Sequence, residues 1–248
     1  MMNGRLVATI GRHCHFAGQE QQKATAVSSL RFACIAALAA FTAGCGVLRS
    51  ESRPSGAVVV EEPTKADAWL RVATGEDQAK IERLGLAWQS ALADARDSRF
   101  ASELRKEGRL LEPRSGLPRP APTPGSYNCR LIKLGRIEPR GPAYESFKPF
   151  YCYVEVEDEL LTIVKQTGSE RPAGRLWEDD RPERLIFLGS LALGDEQQPR
   201  AYGEDPKRDM AGLLERVGPF RWRLVIPWPR GNAKLYVFEL TPVADQPE

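Results

Sequence analysis

Residues 150–165 read FYCYVEVEDELLTIVK, two short apolar runs on either side of the acidic link Glu157-Asp158-Glu159. Both runs are rich in β-branched and aromatic side chains, which favour strands over helices. The link is short enough for a tight turn. The segment therefore predicts a hairpin of two antiparallel strands.

The same pattern continues along the chain, in runs separated by Gly, Pro and Asp. The predicted strands are Tyr127–Leu134, Phe150–Val156, Leu160–Lys165, Gly174–Trp177, Arg184–Leu193, Met210–Val217, Trp222–Ile226 and Leu235–Thr241. Eight consecutive strands with tight links indicate an antiparallel meander, and closing it removes the exposed edges. The sequence predicts a mainly β fold: an eight-stranded antiparallel up-and-down barrel with a lipocalin-like layout over residues 126–243.

An α-helical segment is predicted before the barrel, over residues 64–111. Thr74 is a candidate N-cap, followed by Glu76 and Asp77 in a first turn. Apolar residues then recur at helical spacing, which predicts a helix from about Gly75 to Glu107 with a break near Asp97-Ser98. The apolar stripe is narrow, so this helix packs through one face. Five prolines in residues 112–125 indicate an extended connector to the barrel.

The beginning of the chain has the pattern of an export signal. Arg31 precedes the apolar run FACIAALAAFTAG at residues 32–44, which is too short to span a bilayer, and Cys45 follows it. The small residues before Cys45 match a lipoprotein cleavage site, although Thr42 stands where Leu is usual. We expect lipidation of Cys45, with ordinary signal cleavage as the alternative. Because the signal begins late, translation from near Val27 is an alternative to Met1.

This signal defines the expected organisation and location. Residues 1–44 are a leader and signal that is removed, 45–63 a flexible tether, and 244–248 a disordered tail. We expect an exported lipoprotein that faces the periplasm and is held to a membrane by its lipid. The residue after Cys45 is not Asp, which fits delivery to the outer membrane.

Composition excludes several functions. Residues 1–44 contain four Lys or Arg and one Asp or Glu, so their removal changes the formal net charge from +2 to −1. This charge gives no support for nucleic-acid binding. Both histidines, His13 and His15, leave with the leader. A chain without imidazole lacks Ser–His and Cys–His nucleophiles and the common zinc sites. We expect no catalytic residues, no metal and no cofactor.

Cysteine use predicts one disulfide. Cys14 and Cys34 lie in the leader and Cys45 is the expected lipid acceptor, which leaves Cys129 and Cys152 as a pair in an oxidising compartment. These two cysteines lie on the first two predicted strands, which are neighbours in a meander. A redox-active pair is the alternative, but the spacing is far from Cys-x-x-Cys.

One candidate binding segment consists of Gly168, Ser169, Arg171 and Gly174. Its glycines would let backbone amides approach an anion, and Arg171 offers a fork of donors. The alternative is a bulged hairpin in which the glycines serve backbone geometry alone. The residues favour this structural interpretation.

A second candidate is the acidic and aromatic loop that contains Tyr202, Glu204, Asp205, Arg208 and Asp209. Its carboxylates suit a hard cation, and its exposed polar side chains suit a partner surface. The spacing does not match an EF-hand. A solvated loop in which Arg208 pairs with a neighbour is the favoured alternative.

Carboxylates and aromatic residues of the barrel are weaker candidates. Glu155, Glu157, Asp158 and Glu159 resemble a glycosidase pair, but three of them crowd one turn where they stay solvated. Aromatic side chains would line a ligand cavity or, more often in a small barrel, fill it. They are Trp177, Phe220, Trp222, Trp228, Tyr236 and Phe238.

Several segments together carry a resemblance. They are residues 125–135 (GSYNCRLIKLG), 167–174 (TGSERPAG), 187–191 (FLGSL), 208–212 (RDMAG) and 221–229 (RWRLVIPWP). With these, the chain over roughly Asp67 to Val243 resembles an uncharacterised family of exported proteobacterial proteins, domain of unknown function 4893. The resemblance implies no activity. In layout alone the chain is also similar to small periplasmic barrel inhibitors of proteases or lysozymes.

The sequence favours a non-catalytic binding module of the cell envelope, with a protein partner or a small apolar or anionic ligand. One alternative is a carboxylate-dependent hydrolase that uses Glu155 or Asp205, which requires those side chains to converge in a cleft. A structural envelope component is the other alternative.

Overall fold

The computed structural model describes residues 62–96 and 99–244. The predicted leader and signal, Cys45 and residues 46–61 of the tether lie outside the described residues. The predicted helix break at Asp97-Ser98 and residues 245–248 also lie outside them.

Strands fill most of the chain after residue 124. Their bounds are β1 Gly125–Arg136, β2 Tyr144–Ser146, β3 Phe150–Glu157, β4 Leu160–Lys165, β5 Glu170–Glu178, β6 Arg184–Leu193, β7 Asp209–Gly218, β8 Arg221–Pro227 and β9 Ala233–Pro242. Neighbouring strands are antiparallel, and β1 also pairs with β9. This pairing closes a barrel of eight strands, β1 together with β3 through β9. The predicted fold class is confirmed.

Two differences from the predicted strands have local causes. β2 is an extra strand of three residues that pairs with residues 132–134 of β1, and it is too short to show a period in the sequence. β5 begins at Glu170 rather than at Gly174. Pro172 within it argues against a strand in the sequence, because proline cannot donate to the sheet.

Alternating side chains separate the inside of the barrel from its outside. The interior is one apolar cluster to which every barrel strand contributes, with the bulky side chains of Tyr127, Phe187 and Phe238 among its members. Cys129 of β1 and Cys152 of β3 belong to this cluster and form a disulfide, with their Cα atoms 6.0 Å apart. The predicted disulfide is present, between neighbouring strands.

Short helices precede the barrel: α1 Ala66–Leu70, α2 Gly75–Glu82, α3 Leu84–Arg96, α4 Ala101–Glu107 and a 3-10 helix, Gly108–Leu111. Thr74 caps α2 as predicted, because its side chain accepts a hydrogen bond from the backbone of Asp77 at 3.2 Å. No helix within the described ranges is long and apolar enough to cross a membrane.

The helical segment bends at Arg83, where a single helix was predicted. Ile81 of α2 packs on the outer face of β6 and β7, while Trp88 and Leu92 of α3 pack on residues of β1, β8 and β9. These two parts of a curved surface face different directions. A straight helix of this length could make only one of these two contacts. The bend allows both, so that one apolar stripe follows the barrel.

The proline-rich connector runs across the outside of the barrel and is held at defined points. The backbone N–H of Leu117 donates to the carbonyl of Arg216 at 2.8 Å, and the guanidinium of Arg216 donates to the carbonyl of Pro118 at 2.7 Å. The indole of Trp222 donates to the carbonyl of Pro120 at 3.0 Å. These bonds hold the extended segment against β7 and β8.

Candidate functional site

The middle of the barrel is filled. The space left between Cys129, Phe187 and Leu224 amounts to about 10 Å³, less than one water molecule requires. Three of the aromatic residues singled out in the sequence, Trp222, Tyr236 and Phe238, belong to this interior cluster. A ligand of any size therefore has to enter at an end of the barrel.

One end of the barrel, where β4 ends and β5 begins, contains a pocket of about 280 Å³, called here the mouth pocket. Apolar side chains form most of its wall, among them Leu131, Met210, Ile226, Trp228, Tyr236 and Phe238. Its volume lies just below the usual range for small-molecule sites, about 300–1,000 Å³. The pocket fits a small ligand or the end of a longer one.

Trp228 shapes the wall of this pocket with an unusual backbone conformation. Its φ angle is 43°, in a region that bulky residues rarely adopt and that costs about 1–3 kcal/mol. A backbone bond from Trp228 to the carbonyl of Lys234, at 2.8 Å, holds it there. Arg83 lies over the outer side of the indole ring, 5.5 Å from its centroid. Strained residues of this kind concentrate at binding sites.

The floor of the mouth pocket is formed by Leu131, Met210 and Phe238, and Lys165 is the basic side chain closest to it. Lys165 is the last residue of β4 and continues the inward-facing row of Leu161 and Ile163. Its ammonium donates to the carbonyl of Glu170 at 2.7 Å and lies 4.5 Å from the centre of the Phe150 ring. Burial lowers the pKa of Lys165, and the charges of Arg171 and Lys133 lower it further.

Lys133 lies close enough for its charge to act on Lys165, although it is not among the residues that line the mouth pocket. It continues the inward-facing row of β1 beyond Leu131, and its ammonium lies 4.9 Å from the centre of the Tyr236 ring. It also lies 5.1 Å from the centre of the Phe147 ring and donates to the side chain of Asn232 at 3.1 Å. Neither Lys133 nor Lys165 has a carboxylate within 4.0 Å among residues 62–96 and 99–244.

Further charged groups surround the mouth pocket. Its cations are Lys80, Lys165, Lys207, Arg208 and Arg230, and its carboxylates are Glu170 and Asp209. Arg208 is neutralised by Glu196, on which it makes two hydrogen bonds, and Lys80 is neutralised by Asp77 at 2.8 Å. Arg230 lies 4.0 Å from Glu76, so Lys165 and Lys207 are the lining cations without a carboxylate within 4.0 Å among the described residues.

Asp209 is a buried carboxyl at the start of β7, only 7% exposed. Oδ1 accepts a bond from the backbone of Gly203 at 3.0 Å, but Oδ2 has no partner among the described residues. Burial raises the pKa of Asp209, and the nearby carboxylates Asp77 and Asp205 raise it further. A carboxyl in this environment favours its neutral form more than a solvated one does.

Tyr202, Asp205 and Arg208 lie in the loop between β6 and β7 and make contacts that hold it in place. The Tyr202 hydroxyl donates to Asp77 at 2.7 Å and accepts from the backbone of Thr74 at 3.0 Å, which holds the loop against α2. Burial and the Asp77 carboxylate raise the pKa of Tyr202 to about 12. Asp205 accepts from the backbone of Lys207 within its own turn. The described residues contain no cluster of acidic or sulfur ligands that would hold a metal ion.

The predicted anion segment has its donors occupied. Arg171 donates to the carbonyl of Gly168 at 2.7 Å, to that of Gly194 at 2.6 Å and to that of Glu196. Gly168 lies in the turn between β4 and β5, just before Ser169, and has a φ of 93°. Gly174 lies inside β5, opposite Gly189 of β6, where an added Cβ would come within 2.5 Å of the Gly189 Cα. Arg171 therefore joins the turn between β4 and β5 to the loop between β6 and β7.

The carboxylates considered for hydrolysis lie apart. Glu155 lines a cleft on the outside of β3 to β6, and Asp205 is not among the described residues that line it. Glu157 and Asp158 pair with the exposed Arg175, at 3.4 and 3.1 Å. The convergence that the hydrolase alternative requires is not seen between Glu155 and Asp205.

Lys133 and Lys165 were missed as site residues in the sequence, and Asp209 was considered only as part of the acidic loop, without its burial. The signal for the two lysines is their position, because each extends an inward-facing apolar row by one step. A charged residue there has to lie at the end of the barrel. Asp209 gives no such signal, since its burial depends on the loop and on α2.

Comparisons with known proteins place this chain in a family. The family model for a domain of unknown function (DUF4893) matches residues 69–240. No curated protein matches, and no solved structure matches. The matched residues include α2, α3 and nearly the whole barrel with its mouth pocket. The chain therefore belongs to the DUF4893 family.

Proposed function

We propose that this protein is a non-catalytic binding module of the cell envelope and that the mouth pocket is its binding site. The observation that carries the proposal is an apolar floor beside the inward-facing Lys165 and its neighbour Lys133, for which the described residues supply no carboxylate within 4.0 Å. Such a combination of apolar walls with few polar groups is typical of small-molecule sites. It favours a small ligand over a protein partner.

The proposed location follows from the pattern before Cys45. Cleavage before this residue and acylation of its thiol would anchor the protein to a membrane that faces the periplasm. The intact mass of the protein isolated from its own envelope tests this step. We expect a chain that begins at residue 45 and carries acyl groups, and a mass without acyl groups would contradict the anchor.

Native mass spectrometry of the gently extracted protein tests the binding function. We expect a copurified small molecule, because a pocket with an apolar floor is poorly satisfied by water. A copurified protein instead of a small molecule would transfer the function to a protein partner. A bare chain, from cells in which the protein is abundant, would contradict the proposal.

A matched pair of variants locates the bound molecule. Leu193 lines the mouth pocket and is 39% exposed, so Leu193→Trp places a large side chain in the opening without crowding the core. Leu86 on α3 is 57% exposed and distant from the pocket lining, so Leu86→Trp is the control. We expect the bound species to disappear only from Leu193→Trp.

A further inference from the structure

Two inward-facing lysines at one end of a closed barrel are costly in the absence of a ligand. Lys165 and Lys133 are close enough for the charge of Lys133 to disfavour protonation of Lys165. Aromatic faces of Phe150 and Tyr236 compensate part of this cost, since cations bind weakly to aromatic faces. An ammonium that is partly removed from water still gains strongly from a full negative charge.

The carboxylates already present do not supply that charge. The charge of Glu170 raises the pKa of Lys165, but the Glu170 side chain is exposed. The ammonium of Lys165 donates to the backbone carbonyl of Glu170 and not to its carboxylate. Asp209 also lines the mouth pocket, but its side chain lies on the outer side of β7, next to Asp77 and Gly203. The space in front of the two lysines is thus suited to an anion that comes from outside.

The floor beneath the lysines requires a different chemistry. Leu131, Met210 and Phe238 are apolar side chains, so each methylene of a ligand buried against them favours binding. The exposed side chain of Leu193 extends this surface to the opening, and the exposed ring of Phe147 lies beside Lys133. An apolar chain therefore has a continuous path from the floor to the rim.

We propose that the mouth pocket binds an anionic amphiphile, a single molecule with a carboxylate or phosphate group on Lys165 and Lys133 and an apolar chain on the floor. This inference rests on the proposed binding function and names its ligand class. Lysine suits either group, because it acts as a point charge with three donors and does not require the planar match that arginine makes.

The test compares three probes with the same chain and different heads: decanoate, decanol and decyltrimethylammonium. The protein is the full chain with Cys45→Ser, purified without detergent so that no amphiphile competes, and affinity is measured by titration calorimetry. We expect decanoate to bind at least tenfold more tightly than decanol, and the cationic probe not to bind. Decyl phosphate in place of decanoate shows which anionic head the lysines prefer.

Variants assign the charge to its residues. Lys165→Met keeps the length of the side chain and removes the charge, and we expect it to weaken decanoate about tenfold or more while leaving decanol unchanged. Lys133→Met is the second variant, with the same expected direction. The control is Lys65→Met, because Lys65 is exposed and pairs with Glu178 at the other end of the barrel. Melting temperatures show that each variant is folded.

The outcomes separate this inference from the proposed function. Equal affinity for decanoate and decanol, or no effect of both lysine variants, overturns the anionic ligand while the pocket remains a binding site. Binding to vesicles that contain an anionic phospholipid, without binding of monomeric decanoate or decyl phosphate, assigns the basic mouth to a membrane surface and also overturns the anionic ligand. No binding of any probe at about 1 mM, together with a bare chain in the native mass spectrum, overturns both.

Discussion

Arg223 shows how one residue holds two parts of the molecule together. Its side chain lies on the outer face of β8 and is fully buried. Nη1 donates to the carbonyls of Leu110 and Glu112, both at 2.8 Å, and Nε donates to Glu215 at 2.8 Å. Trp88 of α3 covers the guanidinium, 5.0 Å from its ring centroid. The 3-10 helix is thus fixed to the sheet by one buried charge.

We expect Arg223→Met to lower the free energy of unfolding by about 3–5 kcal/mol, measured by urea unfolding. The reason is that the substitution leaves the Glu215 carboxylate and the backbone carbonyls of the 3-10 helix buried without a donor. Arg175→Met is the control, because Arg175 is 40% exposed and its pairs with Glu157 and Asp158 are worth about 0–1 kcal/mol. Equal losses in the two variants would contradict a structural role for the buried network.

The sequence predicts the strand that carries Arg223 but not the burial of its side chain. In the run Trp222–Ile226, Arg223 occupies the face opposite to the interior row, which reads as a solvated face. The helical segment covers that face in the structure. Burial of this kind depends on how two distant segments pack, and strand periodicity contains no information about it. The burial of Asp209 could not be predicted for the same reason.

Gly174 and Gly189 are required by the close approach of two backbones. Gly174→Ala would place a Cβ within 2.5 Å of the Gly189 Cα and 2.6 Å of the Leu188 carbonyl. We expect a loss of about 1–3 kcal/mol, because overpacking forces the strands apart. Gly85→Ala is the matched control: no atom lies within 4 Å of its added Cβ, and alanine favours α3 by up to about 1 kcal/mol. Opposite signs in thermal unfolding are expected, and a stabilising Gly174→Ala would contradict the crowding.

At the scale of elements, α2 depends on its cap. The Thr74 side chain accepts from the Asp77 backbone, and the Thr74 backbone donates to Tyr202 of the loop between β6 and β7. We expect Thr74→Ala to destabilise the protein by about 1 kcal/mol, measured by urea unfolding. Thr74→Ser keeps the hydroxyl, so its stability should stay within about 0.5 kcal/mol of the parent. A Thr74→Ser variant as unstable as Thr74→Ala would show that the cap is not the cause.

The elements could be predicted in part. Eight strands and the Thr74 cap follow from local patterns, because period and capping residues are properties of short segments. The bend at Arg83 could not be predicted, since Arg83 is an ordinary helix former and the bend follows the curvature of the barrel. The mouth pocket could be predicted in part. The positions of Lys133 and Lys165 near the ends of predicted strands follow from the sequence, while the volume of the pocket depends on the loops that surround it.

At the scale of the whole molecule, buried and half-buried carboxyl groups fall into two classes that respond to pH in opposite directions. Arg130 and the Tyr144 hydroxyl hold the pKa of Glu107 below its ordinary value of 4.5, even though burial opposes them. Lys234 similarly lowers the pKa of Asp94. Groups with lowered pKa values stabilise the fold above their ordinary pKa, and this contribution is lost as the pH falls through the folded-state pKa. Asp209, with its raised pKa, behaves in the opposite way.

Stability between pH 3 and pH 7 should therefore depend on which carboxyl is removed. Glu107→Gln should lower the free energy of unfolding at pH 7 by about 1.5–3 kcal/mol, because Arg130 loses a charged partner at 2.6 and 2.8 Å, and by less at pH 3. Asp209→Asn should raise stability at pH 7 by about 1 kcal/mol, because an ionised carboxyl with one unpaired oxygen is costly to bury, and should have little effect at pH 3. Urea unfolding at both pH values checks the two variants together. If Asp209→Asn destabilised the protein at pH 7, the carboxylate of Asp209 would have a stabilising partner, and its place among the unpaired groups at the mouth would be wrong.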